Sequence, residues 1–96
     1  MEEKEKIILD LTACKYIREF HERIHVAFDF PEWYGANLDA LWDLLREPWS
    51  ADVTVIGADT MSKDLREYFP KIIEIFDEVK EEQKKYGLEF TYQIKK

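Results

Sequence analysis

The chain has 96 residues, 46% apolar and 36% charged, which permits one domain around one modest core and excludes a disordered chain. Its net charge of −7, from 21 acidic and 14 basic residues, argues against nucleic-acid binding, which runs on phosphate neutralisation, and favours a basic partner. No apolar run approaches the ~20 residues of a membrane span. The opening MEEKEKIILD lacks the pattern of a secretory signal, and the lone Cys14 fits a reducing interior, so a cytoplasmic location is expected.

In chain order, the apolar run KIIL at 6–9 suits a buried strand. Ile17, Phe20, Ile24 and Phe28 then recur at helical spacing and predict a helix over about 13–27, with Thr12 as its cap and Pro31 beyond its end. A second helix is predicted from Asn37, a favourable N-cap after Gly35, with Leu38, Leu41 and Leu45 as its apolar stripe. It must stop before Pro48, because the residue preceding a proline is pushed out of helical geometry. DVTVI, Asp52 to Ile56, is a β-branched strand. Ser62 to Phe69 reads as a short helix ended by Pro70. A longer helix follows, with Ile72, Ile75, Phe76 and Val79 on one face and Gly87 at its stop.

LEFTYQI, from Leu88 to Ile94, alternates strictly between apolar and polar, the mark of a strand with one buried face. Strands separated by helices imply a parallel sheet. The expected fold is therefore α/β, two-layered, with a three-stranded parallel sheet under about four helices.

The second helix poses the functional question. Asp39 and Asp43 lie one turn apart on the flank outside its leucine stripe, and Trp42 sits at the border. Like charges at that spacing cost ~0.2–0.5 kcal/mol. Asp39 complements the helix dipole in the first turn, while Asp43 has only Arg46 within helical reach. Three readings compete: a solvated face, an acid/base or metal site, and a docking surface for a cationic partner.

Catalytic support is thin. No phosphate loop or nucleophile motif accompanies the carboxylates. His21 and His25, four apart, lack the third ligand and the pattern of a zinc site; His21 is expected to border the core and His25 to face solvent. Cys14 reads as a packing residue. No metal or cofactor is expected, and no enzymatic activity. On the long helix, Glu74, Glu78 and Glu82 form an acidic stripe that Lys71 and Lys85 share, the pattern of a salt-bridged solvent face.

The segment PEWYGANLDALWD, Pro31 to Asp43, resembles the signature segment of the barstar family, intracellular inhibitors of barnase-type extracellular ribonucleases. The likeness extends to nearly all the chain through the order of elements, the acidic long helix and the terminal FTYQI. It implies an inhibitor that plugs a basic ribonuclease with the second helix and the loop before it. Asp39 and Asp43 would then face the enzyme's phosphate-binding pocket, Asp43 deepest, with Trp42 packed beside them. Gly35 and Asn37 would shape the loop, Glu78 would make an acidic contact, and Glu82 a more peripheral one.

Trp33 stands where the family has a contacting tyrosine. Arg46 has no basic counterpart, and Trp49 is a candidate stand-in for a contacting tryptophan. The implied partner is a barnase-like ribonuclease or a related basic toxin, met by a monomer. A carboxylate metal-dependent enzyme is the remote alternative.

Overall fold

A computed structural model describes residues 4–95; the part of the leader reading that concerns residues 1–3, and residue 96, lie outside the described residues. Three strands, β1 (Glu5–Asp10), β2 (Ala51–Ile56) and β3 (Phe90–Lys95), form a parallel sheet in the order β1-β2-β3. Helix α1 (Ile17–Phe28) and helix α2 (Leu38–Leu45) connect β1 to β2. A 3₁₀ turn (Ala58–Thr60) and helix α3 (Lys63–Lys84) connect β2 to β3.

The strands show why the helices cover one side. Ile7, Leu9, Ala51, Val53, Val55 and Phe90 are buried, while Lys6, Ile8 and Asp10 between them are exposed. The other face is held by polar rungs: the Thr91 hydroxyl donates to Asp52 at 3.2 Å and the Gln93 amide to Thr54 at 3.2 Å. β3 loses its burial along its length, from Phe90 at 1% exposure to Ile94 at 43%, so the alternation predicted from residue 88 is only partly a core face.

Two expectations about the helices are corrected. Among the described residues there are three α-helices and a short 3₁₀ turn, not about four helices, because α3 runs unbroken through Pro70 for 22 residues. Pro70 lacks the N–H of one helical bond and disfavours helix by ~3 kcal/mol relative to alanine. It lies on the exposed side, however, while Leu65 before it and Ile72, Ile75, Phe76 and Val79 after it are all buried on the core side. Burial of one continuous stripe outweighs the local penalty.

Thr12 does not cap α1. The helix begins at Ile17 after a Tyr16 whose side chain makes no cap, and Glu19 in its first turn reaches back to accept from the N–H of Lys15, the residue before the N-cap, at 2.8 Å. Thr12 is occupied elsewhere, packed on Gly57. Gly57 has φ +76°, and a Cβ there would stand 2.3 Å from the Thr12 hydroxyl, so this turn tolerates glycine alone. The predicted stop at Gly87 is observed: the Leu88 N–H donates to the Gln83 carbonyl and the Gly87 N–H to that of Lys84, both at 3.0 Å.

Two polar side chains lie inside the core, His21 and Gln83, and among the described residues every buried side-chain nitrogen and oxygen has a partner. His21, expected at the core border, is 1% exposed. Its Nδ1 lies 2.6 Å from the Tyr34 hydroxyl and its Nε2 2.8 Å from that of Tyr68. A neutral imidazole donates through one nitrogen and accepts at the other, so both are saturated and neither is free for a metal. His25, expected in solvent, is half-buried edge-on against Tyr34, with ring centroids 5.9 Å apart.

Two measurements check this account. Pro70→Ala is expected to raise the urea midpoint by ~2 kcal/mol of stability, since the regained helical bond exceeds the lost rigidity of the unfolded chain; an unchanged or lower midpoint contradicts it. Burial holds the His21 pKa below its ordinary value of 6.5. Between the two values the unfolded chain binds more protons, so this stabilisation is complete above about pH 6.5 and is lost as pH falls towards the folded value. Asp10, lowered by hydrogen bonds from Thr12, and Glu19, lowered by the Lys15 N–H, act at more acidic pH. The urea midpoint should decline below pH 6.5 in the parent protein and stay flat there in His21→Gln; an equal decline in both assigns it to another group.

Candidate functional site

α2 and the loop before it are set on the core by a few buried groups. α1 ends at Asp29 in a left-handed turn (φ 53°), where the Phe30 N–H donates to the His25 carbonyl at 3.0 Å. The chain then turns through Pro31, whose carbonyl accepts from the Tyr34 N–H at 3.0 Å. Tyr34 is buried against Phe30, with ring centroids 5.0 Å apart, and bonded to His21. Its neighbour Trp33 points the other way and is 75% exposed. A buried tyrosine thus anchors the turn that presents an uncovered indole.

The helix start is built by Gly35 and Asn37. Asn37 Oδ1 accepts from the Ala40 N–H at 2.8 Å, the predicted N-cap, and Asn37 Nδ2 donates back to the Gly35 carbonyl at 3.1 Å. A Cβ on Gly35 would come within 3.2 Å of that same Nδ2, so a larger residue there would press on the cap. Ala36 between them is held at φ 51°, a left-handed conformation that costs an alanine ~1–2 kcal/mol. The loop is therefore strained and tightly bonded at once.

From this base, Leu41 and Leu45 are fully buried and turn Asp39 and Asp43 outward, both exposed. Neither carboxylate makes an ion pair within 4 Å or a side-chain hydrogen bond among the described residues. Arg46, the one cation within helical reach, leaves Asp43 unneutralised. Asp39 lies in the first turn, where the positive end of the helix dipole favours it.

Trp42 is half-buried and lines a recess of about 470 Å³ with Asp77, Glu78, Glu81 and Glu82 of α3 and with Lys85 just beyond its end. The structure thus brings Trp42, Glu78 and Glu82 together, with Asp39 and Asp43 flanking on the same helix as the indole. Glu78 is exposed and makes no ion pair among the described residues, whereas Glu82 pairs with Lys85 at 3.4 Å. Glu82 also lines a smaller recess of about 190 Å³ with Arg46 and Tyr86, so Arg46 borders the acidic face at the far end of α2. Trp49 is not part of the face. It turns under the α2–β2 connection, where its Nε1–H donates to the Leu45 carbonyl at 3.0 Å and its ring packs edge-on against Phe28 and Phe90.

A larger recess, about 590 Å³ between β1 and α1, holds none of these residues. Its cation is committed to the fold: Arg23 donates to the carbonyls of Asp10 at 3.1 Å and Thr12 at 2.8 Å. Cys14 is buried, and desolvation pushes its thiol up to about 11, so it stays protonated and packs. Among the described residues no three His, Cys, Asp or Glu side chains gather as a ligand set, and no helix is long and apolar enough to cross a membrane.

Sequence reasoning missed Gln83 and put His21 only at the border of the core, although both leave a trace of their burial. His21 falls on the buried stripe of Phe20, Ile24 and Phe28, from which the expected Ile17 is turned out and exposed, and Gln83 on that of Phe76 and Val79. A polar residue on an apolar stripe demands hydrogen-bond partners in the core; which partners depends on the tertiary fold.

The sequence model of the family described as "Barstar (barnase inhibitor)" matches residues 5–95. The chain is also 33% identical over 81 residues to the "Putative ribonuclease inhibitor YrdF" of Bacillus subtilis (strain 168), a match covering 82% of this chain and 89% of that protein. A match across both the sheet and the acidic face identifies the whole scaffold rather than one motif: the chain belongs to the barstar family, whose members are inhibitors and not enzymes.

Proposed function

We propose that this chain is a stoichiometric ribonuclease inhibitor, a single monomeric cytoplasmic domain that lays α2 and the preceding loop into the active site of a basic, barnase-type ribonuclease. The observation that carries this reading is the pair Asp39 and Asp43, exposed and without internal partners on a helix anchored by buried leucines. A ribonuclease binds phosphates with cations. Two fixed carboxylates offer those cations what the RNA backbone offers, with no scissile bond between them.

Each neighbouring residue has a part in this reading. Asp43 enters deepest and Asp39 beside it. Trp42 supplies apolar contact between the two acids, and Trp33 is an aromatic anchor of the kind that dominates interface energetics. Gly35 and Asn37 hold the loop close to the helix, while Glu78 and Glu82 extend the acidic face along α3. The net charge of −7 steers a basic partner to this face during diffusion. A related basic toxin as target is the second reading, favoured by Trp33 in place of the family's tyrosine and by Arg46 at the edge of the face.

Barnase titrated with the protein should lose activity linearly, to near zero at one equivalent; full activity at equimolar protein, with barnase and related basic ribonucleases alike, removes the proposal. Within an inhibited complex, Asp43→Ala should weaken binding at least ~30-fold, equivalent to a hot-spot loss of ~2 kcal/mol, while Glu74→Ala changes it less than ~3-fold. Asp43→Ala should leave the urea midpoint unchanged or higher, since it relieves repulsion with Asp39. Equal losses from both substitutions would deny Asp43 its place. Arg46→Ala should tighten binding to a basic ribonuclease by removing a like charge; weakened binding would mean that Arg46 meets an acidic group on the partner.

A further inference from the structure

Gln83 reaches from α3, through the core, to the C-terminal end of α2. It is fully buried, and its Nε2 donates to the carbonyls of Leu45 at 3.0 Å and Glu47 at 2.8 Å. Its Oε1 accepts from the Trp49 N–H at 3.2 Å, and the Trp49 indole N–H gives the Leu45 carbonyl its second donor at 3.0 Å. α2 has eight residues and no basic side chain in its last turn. The terminal carbonyls of a helix have no partner within it, and here α3 supplies one.

Leu41 and Leu45 hold α2 on the core, but apolar contact is non-directional and leaves a two-turn helix free to rock. Two hydrogen bonds from one amide to carbonyls two residues apart are directional and fix the end of its axis. Gln83 directly follows Glu82 and stands five residues after Glu78, so the clamp on α2 belongs to the helix that carries those acids. We infer that Gln83 is a positioning residue for binding: it locks α2 to α3 so that Asp39, Trp42 and Asp43 stand at a fixed offset from Glu78 and Glu82. One partner surface must meet both helices together, and an unfixed offset costs ordering on binding, felt mainly as faster dissociation. The inference rests on the ribonuclease-binding reading of this face, and its test has one arm that does not.

The variant is Gln83→Met, which keeps length and loses all three hydrogen bonds; Gln83→Asn, which withdraws the amide by one methylene, gives the same test should the first not fold. Both arms use protein shown by circular dichroism to be fully folded. With barnase as the probe, dissociation should quicken at least ~10-fold (1.4 kcal/mol per tenfold). The affinity loss on Glu78→Ala should shrink in the variant background, while the loss on Trp33→Ala should stay the same, because the loop is held separately by Tyr34.

In the free protein, amide exchange should speed selectively over residues 41–46 and leave Val53 and Val55 of β2 protected. Unchanged dissociation, equal changes at Glu78 and Trp33, or exchange that quickens equally over α2 and β2 would make Gln83 a general stability residue and overturn the inference. If the parent protein does not bind barnase, the ribonuclease reading is what fails, and the exchange arm alone decides the lock.

Discussion

A helix of eight residues with two unneutralised carboxylates on one flank cannot hold itself in water. Helices shorter than ~12–15 residues are marginal even without such repulsion. The rest of the structure around α2 meets that constraint from outside the helix. Asn37 caps its start, Leu41 and Leu45 sink into the core, and Gln83 with Trp49 closes its last carbonyls. The loop before it hangs on Tyr34, which is bonded to His21, itself bonded through its other nitrogen to Tyr68.

On the inhibitor reading, this arrangement is what prepares the carboxylates to bind. A charge held in place by its scaffold loses little freedom when a cation arrives, whereas the same charge on a mobile segment must first be ordered. Repulsion between Asp39 and Asp43 is a cost in the free protein that a cationic surface would convert into attraction. The left-handed Ala36 is a second local cost at the same place. Ala13 before α1 carries the same kind of strain at φ 56°, so it is the pairing of strain with unneutralised charge that sets the 36–43 segment apart.

Much of this was legible in the sequence, and the limits are physical. The leucine stripe and Asn37 placed α2, its cap and its outward acids from spacing alone, and the strands followed from β-branched runs and alternation. Pro70 misled because a local penalty was set against no knowledge of how much stripe is buried on either side. Thr12 misled because a capping residue is identified by what its oxygen meets, and here Gly57 brings another turn against it. His21 and Gln83 each meet their partners 13 to 47 residues away in sequence. Periodicity marks such residues as inward and polar; it has no access to the partner. Trp33 and Arg46 depart from the family pattern; Trp33 is exposed in the loop before α2, and Arg46 shares a recess with Glu82.

The most direct test of the central claim is competition at the ribonuclease active site. Binding of the protein to barnase would be measured by calorimetry at rising concentrations of a guanosine 3′-monophosphate, which fills the phosphate-binding pocket. If Asp39 and Asp43 occupy that pocket, the apparent affinity must fall in proportion to nucleotide concentration, with no ternary complex. Binding that is tight and indifferent to the nucleotide would place the contact elsewhere on the enzyme and contradict the account.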